Sequence, residues 1–238
     1  TRIMSEKKVC AVIGIGPGNG EACARKFGAA GYAVALLSRK TDQSEILAKE
    51  IGNGSKAFVM DASEPESVAK AFASVKADLC AVDVVVYNAG AGAFGDLDAT
   101  SAKDFEGAWR VNALGLFATA KEVVPAMKAK GSGAIVVIGA SASRRGNVRT
   151  VAFAPAKAAQ RSLCESLART YWPSGIHVAL IIVDGVIDLP RTRQNMKDKP
   201  DEFFVKPADI ATTALAIVDQ PRSTWSFEVE ARPFGETW

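Results

Sequence analysis

The chain of 238 residues is 48% hydrophobic and 23% charged, which is ordinary for a globular protein and enough to build a core without disulfides or metals. Its 29 Lys and Arg against 26 Asp and Glu leave a net charge of +3, and no basic tract is long enough to track nucleic-acid phosphates. The longest apolar runs, such as Val178–Val183, are too short to span a bilayer, so one cytoplasmic domain over residues 1–238, with no nucleic-acid or membrane partner, is expected.

Residues 1–7 read as a disordered or non-native extension around a start at Met4. Val9–Ile13 is a short apolar run, hence a strand, and it enters the glycine-rich turn Gly14–Gly20. A helical pattern comes next near 19–30, then a strand at Ala33–Leu37, a helix near 42–51, a strand at Ala57–Met60 and a helix near 65–77. Val82–Tyr87 reads as the fourth strand. Beyond it lies a long helical pattern near 101–130, with an expected kink at Pro125. A strand at Ala134–Ile138, a helix near 151–172 and a strand at Val178–Val183 come next. Residues 190–207, rich in charge and proline, break the alternation and are expected to be a mobile segment on the substrate side. A helix near 207–219 and a strand at Ser226–Val229 end the pattern. Near-continuous apolar strands alternating with amphipathic helices imply an α/β fold: a Rossmann-type, doubly wound parallel sheet of about seven strands with helices on both faces.

The four cysteines, Cys10, Cys23, Cys80 and Cys164, show no paired spacing, and three of them fall in apolar strand or helix patterns where cysteine acts as a small hydrophobe. The single histidine, His177, starts an apolar strand and is given a structural role, so no metal site is expected.

The turn Gly14-Ile15-Gly16-Pro17-Gly18-Asn19-Gly20 sits between the first strand and its helix, where bare backbone and a helix N-terminus can receive a diphosphate. The second strand ends in Ser38-Arg39-Lys40, where an acidic residue would select the ribose hydroxyls of NAD. A hydroxyl and two cations favour a 2′-phosphate instead, so NADP(H) is the expected cofactor and NAD(H) the weaker one.

These features, in order along nearly the whole chain, resemble the short-chain dehydrogenase/reductase family. The spacing Gly14-x-x-x-Gly18-x-Gly20 matches its nucleotide motif, with Ile13 where threonine is usual. By resemblance, Asp61 with Ala62 meets the adenine, Asn88-Ala89-Gly90 supports the cofactor, and Gly185 and Ile187 flank the nicotinamide. Asp184 stands where the family has a proline. Asn112 and Lys157 match the active-site asparagine and lysine, the lysine also holding the cofactor's ribose. The tyrosine position, four residues before Lys157, is Phe153, and the serine position is Ala140, with Ser141 and Ser143 just beyond.

Phenylalanine has no ionisable hydrogen. The expected catalytic set is therefore Asn112, Ser141 and Lys157, with Lys157, Ser141 or water supplying the proton that tyrosine usually handles. The expected function is an NADP(H)-dependent oxidoreductase acting on a small carbonyl or alcohol substrate. The alternative is a non-catalytic NADP(H)-binding sensor or assembly protein. Arg144, Arg145 and Arg149 either meet an anionic group of the substrate or form a solvated loop. The resemblance also implies a homodimer or homotetramer, paired through the faces Ala113, Leu116, Ala120 and Ala159, Leu163, Leu167.

Overall fold

Five of the seven sheet strands are apolar along almost their whole length, and burial on both faces is the consequence. In a computed structural model, which describes residues 7–235, the strands β1 (Val9–Ile13), β2 (Ala33–Ser38), β3 (Lys56–Val59), β4 (Val84–Tyr87), β5 (Gly133–Ala140), β6 (Ile176–Val183) and β9 (Glu228–Ala231) form one sheet. Its order is β3-β2-β1-β4-β5-β6-β9, and every neighbouring pair is parallel. A second ribbon pairs β7 (Val186–Ile187) with β8 (Phe204–Val205). The last sheet strand begins two residues later than its apolar pattern suggests, because Phe227 and Ser226 supply backbone carbonyls to Leu180 and His177 before the ladder starts.

Parallel strands need crossovers, and here they are helices on both faces. One core lies between the sheet and α3 (Pro65–Asp78), α5 (Gly115–Lys130) and α6 (Phe153–Tyr171), and holds Val68, Val75, Leu116, Val123, Cys164 and Ala168. The other lies under α1 (Asn19–Ala29), α2 (Asp42–Ile51) and α8 (Pro207–Val218), and holds Cys23, Phe27, Leu47, Ile210 and Ala214. The strand order reverses between β1 and β4, which leaves a crevice at the carboxyl ends of those strands.

The long helical pattern near 101–130 is two helices joined without a break. α4 (Ala102–Trp109), started by a reciprocal Ser101–Asp104 capping box, passes into a π-helical turn at Arg110–Leu114 and then into α5. The irregularity therefore falls at Asn112, and α5 continues through Pro125. One extra residue in the turn shifts the phase of the helix beyond it. Ala113, Leu116 and Ala120, expected to face a partner subunit, are buried in the chain's own core, while Phe105, Trp109 and Phe117 are the exposed large apolar side chains on these helices. On α6, Leu163 and Leu167 are half-buried against the core.

The segment that breaks the alternation forms a short helix, α7 (Pro190–Asn195), a 3-10 turn at Asp201–Phe203 and strand β8. Arg193 binds both oxygens of Asp188 at 2.7 and 2.8 Å, and its guanidinium lies 4.1 Å from the centroid of Phe204. His177 sits at the amino end of β6, stacked on Trp225 with its Nε2 2.8 Å from the Ser226 carbonyl. Cys10, Cys23 and Cys164 are buried and Cys80 is exposed. Among the described residues no helix is long and apolar enough to cross a membrane, and no cluster of His, Cys, Asp and Glu is placed to hold a metal ion. The reading of residues 1–6 as an N-terminal extension lies outside the described residues.

Candidate active site

The crevice at the strand reversal has a volume of about 380 Å³ and is bordered by the Gly14–Pro17 turn, Ser38 and Arg39 at the end of β2, Asp61–Ser63 after β3, and Asn88–Ala91 after β4. Gly14 adopts φ +88°, and a Cβ there would stand 2.6 Å from the amide nitrogen of Ala89, so glycine is required for the turn to pass beneath the β4 loop. The Asn88 side chain ties the two segments by donating to the Gly14 carbonyl at 2.8 Å. Gly20 faces that same carbonyl, 2.2 Å from where a Cβ would be, which lets α1 start directly over the turn. Gly16 borders the crevice with open space beside it, and Gly18, at φ +111°, packs against Leu189. No side chain caps the first turn of α1 at Asn19 and Gly20, and Asn19 Oδ1 is buried without a partner. An uncapped helix start over bare glycine backbone is a ready seat for an anion.

At the far end of the crevice the three polar residues Ser38, Arg39 and Lys40, at and after the end of β2, separate. Arg39 borders the crevice. Ser38 Oγ donates to the Lys40 carbonyl at 2.7 Å and pairs with Ser44 Oγ at 2.8 Å, so its proton is already engaged in shaping the turn. Lys40 is exposed and does not border the crevice. Asp61 accepts from both the amide and the hydroxyl of Ser63, at 2.9 and 2.7 Å, and the hydroxyl above all holds its carboxyl below the usual carboxylate range.

A second cavity, of about 440 Å³, adjoins the carboxyl ends of β5 and β6. Its apolar wall is Phe94, Ile138, Phe153, Val183 and Ile187, and its polar wall includes Asn19, Ser141 and Arg145. Phe153 opens α6 and its ring lies 4.9 Å from that of Phe94, whose irregular loop is joined to the segment ahead of α6 by the Gly95–Thr150 bridge. Ser141 begins the 3-10 turn after β5, whereas Ser143 turns inward and donates to the Ala140 carbonyl at 2.7 Å. Gly185 is wedged against Val205 and Pro233, and Asp184 pairs with Arg232 at 3.1 Å. Of the three arginines, Arg144 is bound by Glu228 and Glu230, Arg149 lies outside the cavity wall, and Arg145 borders it.

Between crevice and cavity lies a buried polar group. Asn112 is fully buried on the π-helical turn, its Nδ2 donating to the Ala108 carbonyl at 2.8 Å and to that of Ala91 at 3.3 Å, with Oδ1 unpartnered. The Val111 carbonyl in the same turn accepts from the Tyr87 hydroxyl at 2.5 Å. Lys157, 6% exposed, comes one turn after Phe153 on α6, and its Nζ is 5.8 Å from the centroid of that ring. Burial lowers its pKa to about 8. Its acceptors are Gln160 Oε1 at 3.1 Å and the Ile138 carbonyl at 3.4 Å, and Gln160 Nε2 donates in turn to the Asn112 carbonyl at 2.9 Å.

Asn112 and Lys157 thus do not border the crevice themselves. They meet it at Gly90, where a Cβ would lie 3.4 Å from Asn112 Oδ1 and 3.7 Å from Lys157 Nζ. A bare Cα there leaves a donor and an unpartnered acceptor side by side, which fits a hydroxyl group of a bound nucleotide. Gln160 and Phe94 belong to this site and had no signal in the sequence beyond a polar residue at i+3 from Lys157 and an aromatic in a loop.

The sequence profile of the short chain dehydrogenase family matches residues 8–200. The chain is 27% identical to carbonyl reductase family member 4 of Xenopus laevis over 222 residues, covering 91% of this chain and 93% of that one. Among solved structures it is similar to a short-chain dehydrogenase from Rhodopseudomonas palustris, with 30% identity and TM-score 0.81 over 95% of this chain and 99% of the other. It also resembles an alcohol dehydrogenase from the archaeon Thermococcus sibiricus complexed with 5-hydroxy-NADP, with 29% identity and TM-score 0.84 over 98% and 99% of the two chains.

Proposed function

Because the chain belongs to the short-chain dehydrogenase family, we propose that it is an NADP(H)-dependent oxidoreductase acting on a small carbonyl or alcohol substrate, with Lys157 in place of a tyrosine at the proton-transfer step. The observation that carries the cofactor choice is the end of β2, where Arg39 borders the crevice and no carboxylate stands at the strand terminus. A guanidinium gives a 2′-phosphate paired, charge-assisted hydrogen bonds, and NAD(H) has nothing to offer it there. The archaeal relative solved with 5-hydroxy-NADP is in keeping with this choice.

In this reading Gly14, Gly16, Gly18, Asn19 and Gly20 hold the diphosphate at the start of α1. Asp61 and Ala62 meet the adenine, with Ser38 and Lys40 shaping the turn that carries Arg39. Asn88, Ala89 and Gly90 form the floor, Asn112 and Lys157 meet a ribose hydroxyl beside Gly90, and Gly185 and Ile187 flank the nicotinamide. When bound, the cofactor supplies or accepts the hydride. The chain's own residues align the substrate and move the proton. Ser141 orients the substrate oxygen from the turn after β5. Lys157, with a pKa near 8, has both protonation states within reach at neutral pH and acts as acid or base through a water beside the Phe153 ring.

The second reading, an NADP(H)-binding protein without turnover, is favoured by the same ring, since Phe153 occupies the place of a donor and Lys157 is almost wholly buried. The protein acts in this proposal as a cytoplasmic homodimer or homotetramer joined through the exposed Phe105, Trp109 and Phe117 of α4 and α5. NADPH deuterated at C4 separates the two functions. Deuterium in the alcohol product from a panel of aldehydes and ketones supports the oxidoreductase. No transfer to any of them, with NADPH bound, leaves the non-catalytic role.

A further inference from the structure

We propose that Gln160 is a positioning residue that sets the direction and proton affinity of Lys157, and so makes the lysine the pH-sensitive contact of the cofactor site. This rests on the cofactor reading of that site. Gln160 is 1% exposed, in a helix face otherwise filled by small and apolar side chains such as Ala156 and Cys164. A glutamine buried to that extent must satisfy both ends of its amide. The Asn112 carbonyl can only accept, so the amide nitrogen is committed to it, at 2.9 Å. The amide oxygen is left to face Lys157 Nζ, at 3.1 Å. The orientation of the amide is therefore dictated by the backbone of the π-helical turn.

Lys157 is affected in two ways. Gln160 Oε1 and the Ile138 carbonyl take two of the ammonium's three hydrogens, and the remaining open approach is the one beside Gly90 and the unpartnered Asn112 Oδ1. An acceptor at 3.1 Å also stabilises the charged form, against the burial that disfavours it. Other ionisable groups do not take over this role. Cys164, on the same helix, has its thiol pushed up to about 12, and Tyr87 is raised further by burial, so both are neutral in the working range. On the elements packed against α6, Glu228 is held by Arg144 and Arg161, Arg110 by Glu64 and Glu106, and His177 lies at the other end of β6. Lys103, Asp104 and Glu106 are exposed on α4, and Arg145 is exposed at the cavity edge.

The test is the pH dependence of NADPH affinity, from pH 6.5 to 9.5, in the wild-type protein and in Gln160→Leu and Gln160→Glu. A polyanion bound near Lys157 favours the ammonium, so affinity holds at low pH and declines above the lysine's own titration. Removing the acceptor in Q160L lowers that midpoint by about one pH unit, and a carboxylate in Q160E raises it by about as much. A residue that only fills space would change the melting temperature and leave the midpoint fixed. If Q160L does not fold, Q160E decides, because it keeps an acceptor for Lys157. Midpoints that ignore the substitutions, or a wild-type affinity with no decline in this range, overturn the assignment of Gln160. Absence of any NADPH binding by the wild type overturns it together with the cofactor reading.

Discussion

Phe153→Tyr restores a phenol where α6 begins, and the structure says how much it should do. The ring already lies in the cavity wall, its centroid 4.9 Å from that of Phe94 and 5.8 Å from Lys157 Nζ, so the substitution brings a phenol to that wall. Positioned acid–base catalysis contributes about 10²–10⁴-fold, equal to about 2.7–5.4 kcal/mol of barrier. The lower end applies here, because Ala140 offers no hydroxyl to share the substrate oxygen, and Ser141 begins a 3-10 turn one residue later. The expected result is a rise of about 10²-fold in kcat/KM for ketone reduction, with a further gain in Ala140→Ser/Phe153→Tyr. The assay is NADPH consumption at saturating cofactor, beside a measurement of NADPH affinity in each variant. Unchanged affinity with no gain in ketone reduction would refute the claim that the cavity is arranged for carbonyl chemistry.

Arg39→Ala should weaken NADPH about 10–100-fold, the worth of charge-assisted hydrogen bonds to one group, and leave NADH nearly unchanged; calorimetry with both cofactors reads the difference. Gly14→Ala, which needs φ +88° and sets a Cβ 2.6 Å from the Ala89 nitrogen, should cost about 2 kcal/mol or more and abolish cofactor binding, as monitored by thermal melting and titration. If Lys157 donates the proton, the reductive rate should be flat below pH 8 and fall above it, whereas a profile without a break there would place the donor elsewhere. The same burial affects stability. A lysine whose pKa drops from 10.5 to about 8 on folding binds fewer protons folded than unfolded between those values. Stability therefore rises with pH across that window, by about 3 kcal/mol relative to Lys157→Met, and parallel denaturation curves for the two proteins would contradict it.

The fold was legible because its rules are local. Apolar strands such as Val84–Tyr87 and Ile176–Val183 announce a sheet buried on both faces, and the Gly14–Gly20 turn falls where a strand meets a helix. The glycine turn and Ser38–Lys40 could be named from that placement, whereas Asp61, Ala62 and Asn88–Gly90 were named through the family resemblance. The illegible part depends on phase and on tertiary approach. The π-helical turn at Arg110–Leu114 leaves no mark in the helical pattern, and Ala113, Leu116 and Ala120 are buried in the chain's own core and do not face outward. Phe94 reaches Phe153 only because its loop bridges to Thr150, a contact across more than fifty residues. Gln160 reads as an ordinary polar helix residue until packing closes over it. Ser38 shows the converse case, in which a residue type suited to a phosphate is turned instead to its own loop.

The most direct measurement is a calorimetric titration of the purified protein with NADPH and, separately, NADH. Saturable binding of NADPH at least about tenfold tighter than that of NADH, a gap of about 1.4 kcal/mol, is expected. No heat of binding from either nucleotide at millimolar concentration would contradict it.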